Sequence, residues 1–227
     1  MKKIITILSV IFISLSVHAN DIYVNQSGAQ LDLDITQDGQ NNTVGNSTTA
    51  SSVIGATTNL AITQIGDSNV MTFDVNGATY TGTFSVTGNS NNIDFNCDSG
   101  GSNSSCGTAT ASIVWVGSSN DIDIDIGETS SATSATVGIT GASGSDSNTI
   151  LGTIDGNSAI LTLSVNGDTN NFLIDIDGNG DSAGHTYIHT HTGSIADVDI
   201  TQSGIYDNMI TLTTSGDNHD IDIIQRD

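Results

Sequence analysis

The sequence predicts an all-β chain, and more narrowly a single β-solenoid of strand–arc–strand repeats with no helices beyond a leader. Three observations predict it. Short apolar/polar alternations recur along the chain, each followed by a Gly/Asn step. Proline is absent, so nothing interrupts a β ladder. The acidic residues alternate with Ile, Leu and Val instead of forming blocks, which argues for half-buried strands and against a disordered acidic chain. A repeat of this size cannot bury its own apolar face and must stack on its neighbours.

In chain order, residues 1–19 read as an export signal: Lys2 and Lys3, an apolar stretch from Ile4 to Val17, then Val17-His18-Ala19 as a cleavage site. Residues 20–227 form the repeat domain. Without the leader only Arg226 stands against the 25 carboxylates, a formal charge of −24. Nucleic-acid binding by phosphate neutralisation is excluded on that balance, and no segment is apolar enough to span a bilayer. Ile22-Tyr-Val24-Asn-Gln26-Ser-Gly28 is a partial unit.

The full unit follows as Leu31-Asp-Leu33-Asp-Ile35-Thr-Gln37-Asp-Gly39, with Asn42 beyond it. It returns as Leu60-Ala-Ile62-Thr-Gln64-Ile-Gly66 with Asn69, and as Val198-Asp-Ile200-Thr-Gln202-Ser-Gly204. The arc alone recurs at Gly88/Asn91, Gly117/Asn120 and Gly167/Asn170. Strand parity puts Gln37, Gln64 and Gln202 on the face of the apolar residues, as it does Asn42, Asn69, Asn91, Asn120 and Asn170. A buried amide without a partner costs about 1–3 kcal/mol, and stacking like amides above and below removes that cost. These residues are therefore expected to form side-chain ladders, with Gly39, Gly66, Gly88, Gly117, Gly167 and Gly204 turning the arcs.

Cys97 and Cys106 flank a turn-rich insert. In an exported chain they read as a disulfide closing a short loop, the alternative being a reactive thiol pair. Two groups have metal-ligand chemistry. Asp175, Asp177, Asn179 and Asp181 resemble the start of a calcium loop, but Thr186 stands where the closing Glu would be. His185, His189 and His191 share strand parity and could chelate zinc or copper from a surface strand, or be a surface strand with His among Thr. No cofactor is required, and calcium is the one cation the acidic pattern invites. The Ser residues fall in turns and no unique acid–base pair exists, so no enzyme is expected.

The run Ile/Val-x-Gln-x-Gly-x-x-Asn with an apolar strand behind it resembles the curlin repeat. Curlins are exported subunits of curli, the functional amyloid fibres of bacterial surfaces. The resemblance implies about 22 residues per repeat, secretion through an outer-membrane pore, assembly on a nucleator subunit and homopolymer growth in a biofilm or adhesive matrix. A monomeric acidic β-solenoid adhesin or calcium-binding module is the competing expectation. An ice-binding solenoid would need a regular Thr-x-Thr array, and the sequence offers scattered pairs such as Thr81/Thr83 and Thr211/Thr213.

Overall fold

The computed structural model describes residues 21–39, 41–45, 50–66, 68–88, 90–97, 106–117, 120–127, 132, 134–142, 147–177, 185–204 and 208–226. Residues 1–20, the expected leader among them, lie outside the described residues. All described regular structure is β, in parallel register throughout.

The strands are β1 (Asp21–Ile22), β2 (Asn25–Asp38), β3 (Thr43–Val44), β4 (Ser51–Ile65), β5 (Val70–Thr87), β6 (Asn92–Cys97), β7 (Cys106–Val116) and β8 (Asp121–Ile126). They continue as β9 (Ser134–Gly141), β10 (Thr149–Asp155), β11 (Ala159–Asn166), β12 (Asn170–Asp177), β13 (Thr186–Thr192), β14 (Ala196–Ser203), β15 (Met209–Ser215) and β16 (His219–Arg226). Strand β5 bends from one wall of the molecule into the other. Its first part pairs with β6, and the path runs on through β8, β10, β12 and β14 to β16. Its second part pairs with β7, and that path runs through β9, β11 and β13 to β15. Strands β1 to β4 extend both walls in the opposite direction. The result is a two-walled parallel β-solenoid, as the sequence predicts.

The walls face each other through their inward side chains. Tyr80 of one wall stacks on Phe95 of the other at 4.9 Å between ring centroids, and Phe84 meets both Phe73 and Phe95. Inward positions alternate with outward ones along each wall: β8 buries Ile122, Ile124 and Ile126 and turns Asp121, Asp123 and Asp125 out. Large side chains lie over glycines of the same or the next coil. A Cβ at Gly82 would strike the Tyr80 hydroxyl, and one at Gly141 would strike the Trp115 ring. This small-against-large pairing lets the rings of Tyr80 and Trp115 fit between the walls.

Coil length is not constant. Along the column Asn42, Asn69, Asn91, Asn120, Asn148 and Asn170 the successive separations are 27, 22, 29, 28 and 22 positions, so the repeat of about 22 residues holds for some coils and not others. The variation falls between the paired strands, because the strands themselves must keep their register.

Candidate functional site

The arcs leading from β2, the end of β4, the end of β5 and β7 back to the opposite wall stack on one another. Gly66 has φ +152°, and a Cβ there would run into the carbonyl oxygen of Gly39 directly beneath it. The same crowding repeats at Gly88 over Gly66, Gly117 over Gly88, and later at Gly193 over Gly167. Here glycine is required by the close approach of successive backbones as well as by the turn. Backbone bonds run up this stack, Gly39 N–H to Ile65 O at 3.0 Å and Gly88 N–H to Val116 O at 2.9 Å.

Three residues beyond Gly39, Gly66, Gly88, Gly117 and Gly167 an asparagine points inward, whereas Ala196 takes that place after Gly193, and the amides form a ladder. Asn69 lies 3.4 Å from the Asn42 amide oxygen. With its amide turned to satisfy both ends it donates to Asn91 Oδ1 at 2.6 Å and to Gly66 O at 3.0 Å. Asn91 donates to Asn120 at 2.5 Å, Asn120 to Asn148 at 2.7 Å, and Asn148 to Asn170 at 2.7 Å. Asn120 and Asn170 also donate to the carbonyls of their own arcs, Gly117 O at 2.8 Å and Gly167 O at 2.7 Å. Asn148 is a rung that the Gly-x-x-Asn spacing did not reveal, since no glycine stands three residues before it.

The glutamine ladder is shorter and is divided between the walls. Gln64 donates to Gln37 Oε1 at 2.7 Å, and Gln37 to Thr43 O at 3.0 Å. The next position in this column is Val86, so Gln64 Oε1 is buried without a partner. Gln202 does not belong to this column. Its register neighbours are Ile176 and Gln225 in the opposite wall, and its Oε1 accepts from Gln225 Nε2 at 3.4 Å. Gly204, φ +146°, accordingly turns the other set of arcs. The local sequence around Gln202 repeats the earlier unit, but the coil has by then shifted phase by half a turn.

Cys97 and Cys106 are disulfide-bonded, with Cα atoms 5.6 Å apart, and both are buried. In the preceding coil their register partners Val75 and Gly77 are joined by a single residue. The bridge therefore restores the corner that a longer insertion would open.

His185, His189 and His191 share parity as expected, but they point into the core and are fully buried instead of lining a surface strand. His189 stands in a column between Leu163 and Leu212, edge-on to Phe172 at 4.5 Å, with the Tyr187 hydroxyl 3.0 Å from its Nδ1. Burial, reinforced by neighbouring His191, holds its pKa down to about 3. His191 Nε2 caps the asparagine ladder, 2.8 Å from Asn170 Nδ2 and 2.9 Å from Gly167 O, and its pKa is also lowered, chiefly by burial. Among the described residues no group of three or more His, Cys, Asp or Glu is placed to hold a metal. Asp175 and Asp177 turn outward on β12, where Asp177 accepts from Ser203 Oγ at 2.7 Å. Asn179 and Asp181 lie outside the described residues.

A groove lies along the later arcs, lined by Asn171, Ile195 and Asn218 among others. Ser147, Thr169, Ile195 and Asn218 each adopt a left-handed backbone there, with φ between 57° and 61°. For the β-branched pair this conformation is strained. No known protein family, curated protein or solved structure matches the chain.

Proposed function

We propose that this chain is an exported structural subunit of a curli-like extracellular fibre, growing by head-to-tail stacking of solenoids in a biofilm or adhesive matrix. The observation that carries the reading is the phase of the two ends. In one wall the register runs from Leu33 and Ile35 through every coil to Ile210 and Leu212. In the other it runs from Gln26 to Gln225. A second copy set on the last coil would thus place Leu33 on Ile210, Ile35 on Leu212 and Gln26 on Gln225. Apolar columns would continue across the joint, and the Gln202–Gln225 pair would gain a third amide. Meanwhile Ile221 and Ile223 of the last coil are 38 % and 45 % exposed although their parity is inward. An unpaired parallel edge of that kind is a template for another strand.

The resemblance to curlin repeats at Gln37, Gly39, Asn42, Gln64, Gly66 and Asn69 supports the same reading, and with it a nucleator subunit and an outer-membrane pore as partners. The test is the chain of residues 20–227 followed by thioflavin fluorescence and electron microscopy. Native protein should form fibres, and Ile223→Asp should slow growth at least tenfold while leaving the circular dichroism of the soluble chain unchanged. A native chain that stays monomeric removes the fibre reading and leaves the acidic solenoid adhesin in its place.

A further inference from the structure

The acids are sorted between the walls. The outward positions of the wall containing β6, β8, β10, β12, β14 and β16 carry Asp94, Asp121, Asp123, Asp125, Asp155, Asp175, Asp177, Asp197, Asp199, Asp220 and Asp222. Burial and mutual repulsion already act there: the Asp94 carboxyl is pushed up by desolvation, then by Asp74 and Asp121. On the opposite wall the first strand, β2, turns Asp32, Asp34 and Asp38 outward, but every described outward position from Thr57 to Ser215 is uncharged. The pairing register also gathers Thr and Ser into columns that are about 25 residues apart in sequence. One column runs Thr63, Ser85, Val114, Thr140, Ser164, Thr190 and Thr213. Another runs Thr81, Thr110, Thr136, then Ile160 and Thr186.

We propose that this threonine wall is the surface through which two solenoids, and two fibres, associate side by side. The occupant is a second copy of the chain, for two reasons. Electrostatics favours this face, since apposing two acidic walls would bring rows of carboxylates together along their whole length, whereas from β4 to β15 the threonine walls meet without a charge and only Asp32, Asp34 and Asp38 of β2 stand at one end. Size suffices as well. Seven rungs at about 4.8 Å and strands of about nine residues give roughly 1,000 Å² per face, above the roughly 800 Å² per partner of a stable interface. Interdigitated β-branched Thr and Val side chains are suited to a dry contact between sheets. The fibre-bundling half of the proposal rests on the fibre reading above; the pairing of soluble chains does not.

The experiment compares Thr140→Asp/Thr190→Asp, on the threonine wall, with Thr153→Asp/Asn171→Asp, on the acidic wall. All four sites are exposed on strand surfaces, and the two variants add the same charge. Sedimentation velocity of the soluble chain should show native and acidic-wall variants pairing, with the threonine-wall variant at least tenfold weaker. Electron microscopy should show native and acidic-wall fibres laterally paired and threonine-wall variant fibres single, with thioflavin elongation rates of all three within twofold. If the chain forms no fibres, the fibre reading falls and sedimentation alone decides pairing. Native chains that are monomeric and form only single fibres overturn the proposal, as does equal loss of pairing in both variants. Ice-crystal shaping by unpaired native chains, lost in Thr140→Asp/Thr190→Asp, also overturns it and assigns the wall to frozen water.

Discussion

At the scale of single residues, the two ladders are unequal, and substitution should expose the difference. Asn120 serves three partners, accepting from Asn91 and donating to Asn148 and Gly117 O. Asn120→Leu keeps the bulk but strands buried groups above and below it, an expected loss of about 2–4 kcal/mol in urea unfolding. Gln64 stands at the end of its ladder with one oxygen already unpaired. Gln64→Leu extends the Val86 column by one residue and should cost only about 1 kcal/mol. A larger loss for Gln64→Leu than for Asn120→Leu would sink the assignment of the Asn column as the principal one. Ile195 gives the opposite case. It is 52 % exposed at φ +60°, so little burial offsets its strain. Ile195→Asn should raise stability by about 1 kcal/mol, seen as a higher urea midpoint with an unchanged slope.

At the scale of elements, the alternation Leu31-Asp-Leu33-Asp-Ile35-Thr-Gln37 was enough to place both faces of β2, because strand parity is a local property of the text. The Gly/Asn arcs were legible for the same reason. Which wall a strand joins is a cumulative property, fixed by the lengths of all preceding arcs. That is why Gln202 repeats the words of Gln64 yet sits in the opposite wall, and why Asn148 joins the ladder without a glycine three residues before it. The Thr columns were invisible because their members meet only across whole coils, and the burial of His189 because Thr alternation around it reads as surface. The disulfide was readable from Cys spacing in its insert, but its role at a coil corner was not. Converting both Cys97 and Cys106 to Ala should cost about 2–3 kcal/mol for a loop of sequence separation 9. Hydrogen exchange should place the loss first in β6 and β7. Uniform loss of protection across all strands would contradict a corner staple.

At the scale of the whole molecule, acid acts on the solenoid in two opposing ways. Asp74, Asp94 and Asp175 have pKa values raised chiefly by burial. The folded chain therefore binds their protons more readily than the unfolded chain, and stability rises as the pH falls toward the carboxylate range. The falling net charge also relieves repulsion between the chains of the proposed fibre as the pH approaches the sequence pI of about 4.1. His189 works the other way. Its pKa is held down to about 3 in the core, against about 6.5 in an unfolded chain. The stability of keeping it neutral is complete at pH 7 and is lost progressively as the pH falls from about 6.5 toward 3, a few kcal/mol in all. His189 and His191, whose pKa values burial lowers, both lie in β13, so this loss falls on the C-terminal coils that would receive the next subunit. Growth should consequently accelerate from pH 7 downward, then turn over below about pH 5 as the growing end loosens. His189→Leu continues the Leu163–Leu212 column and removes the titrating group, at the expense of the Tyr187 hydrogen bond. In thioflavin assays across pH 7 to 4 the variant should keep accelerating where the native chain slows, with little difference between them at pH 7. Identical profiles would show that the buried histidine does not govern the acid limb, and that charge relief alone sets the rate.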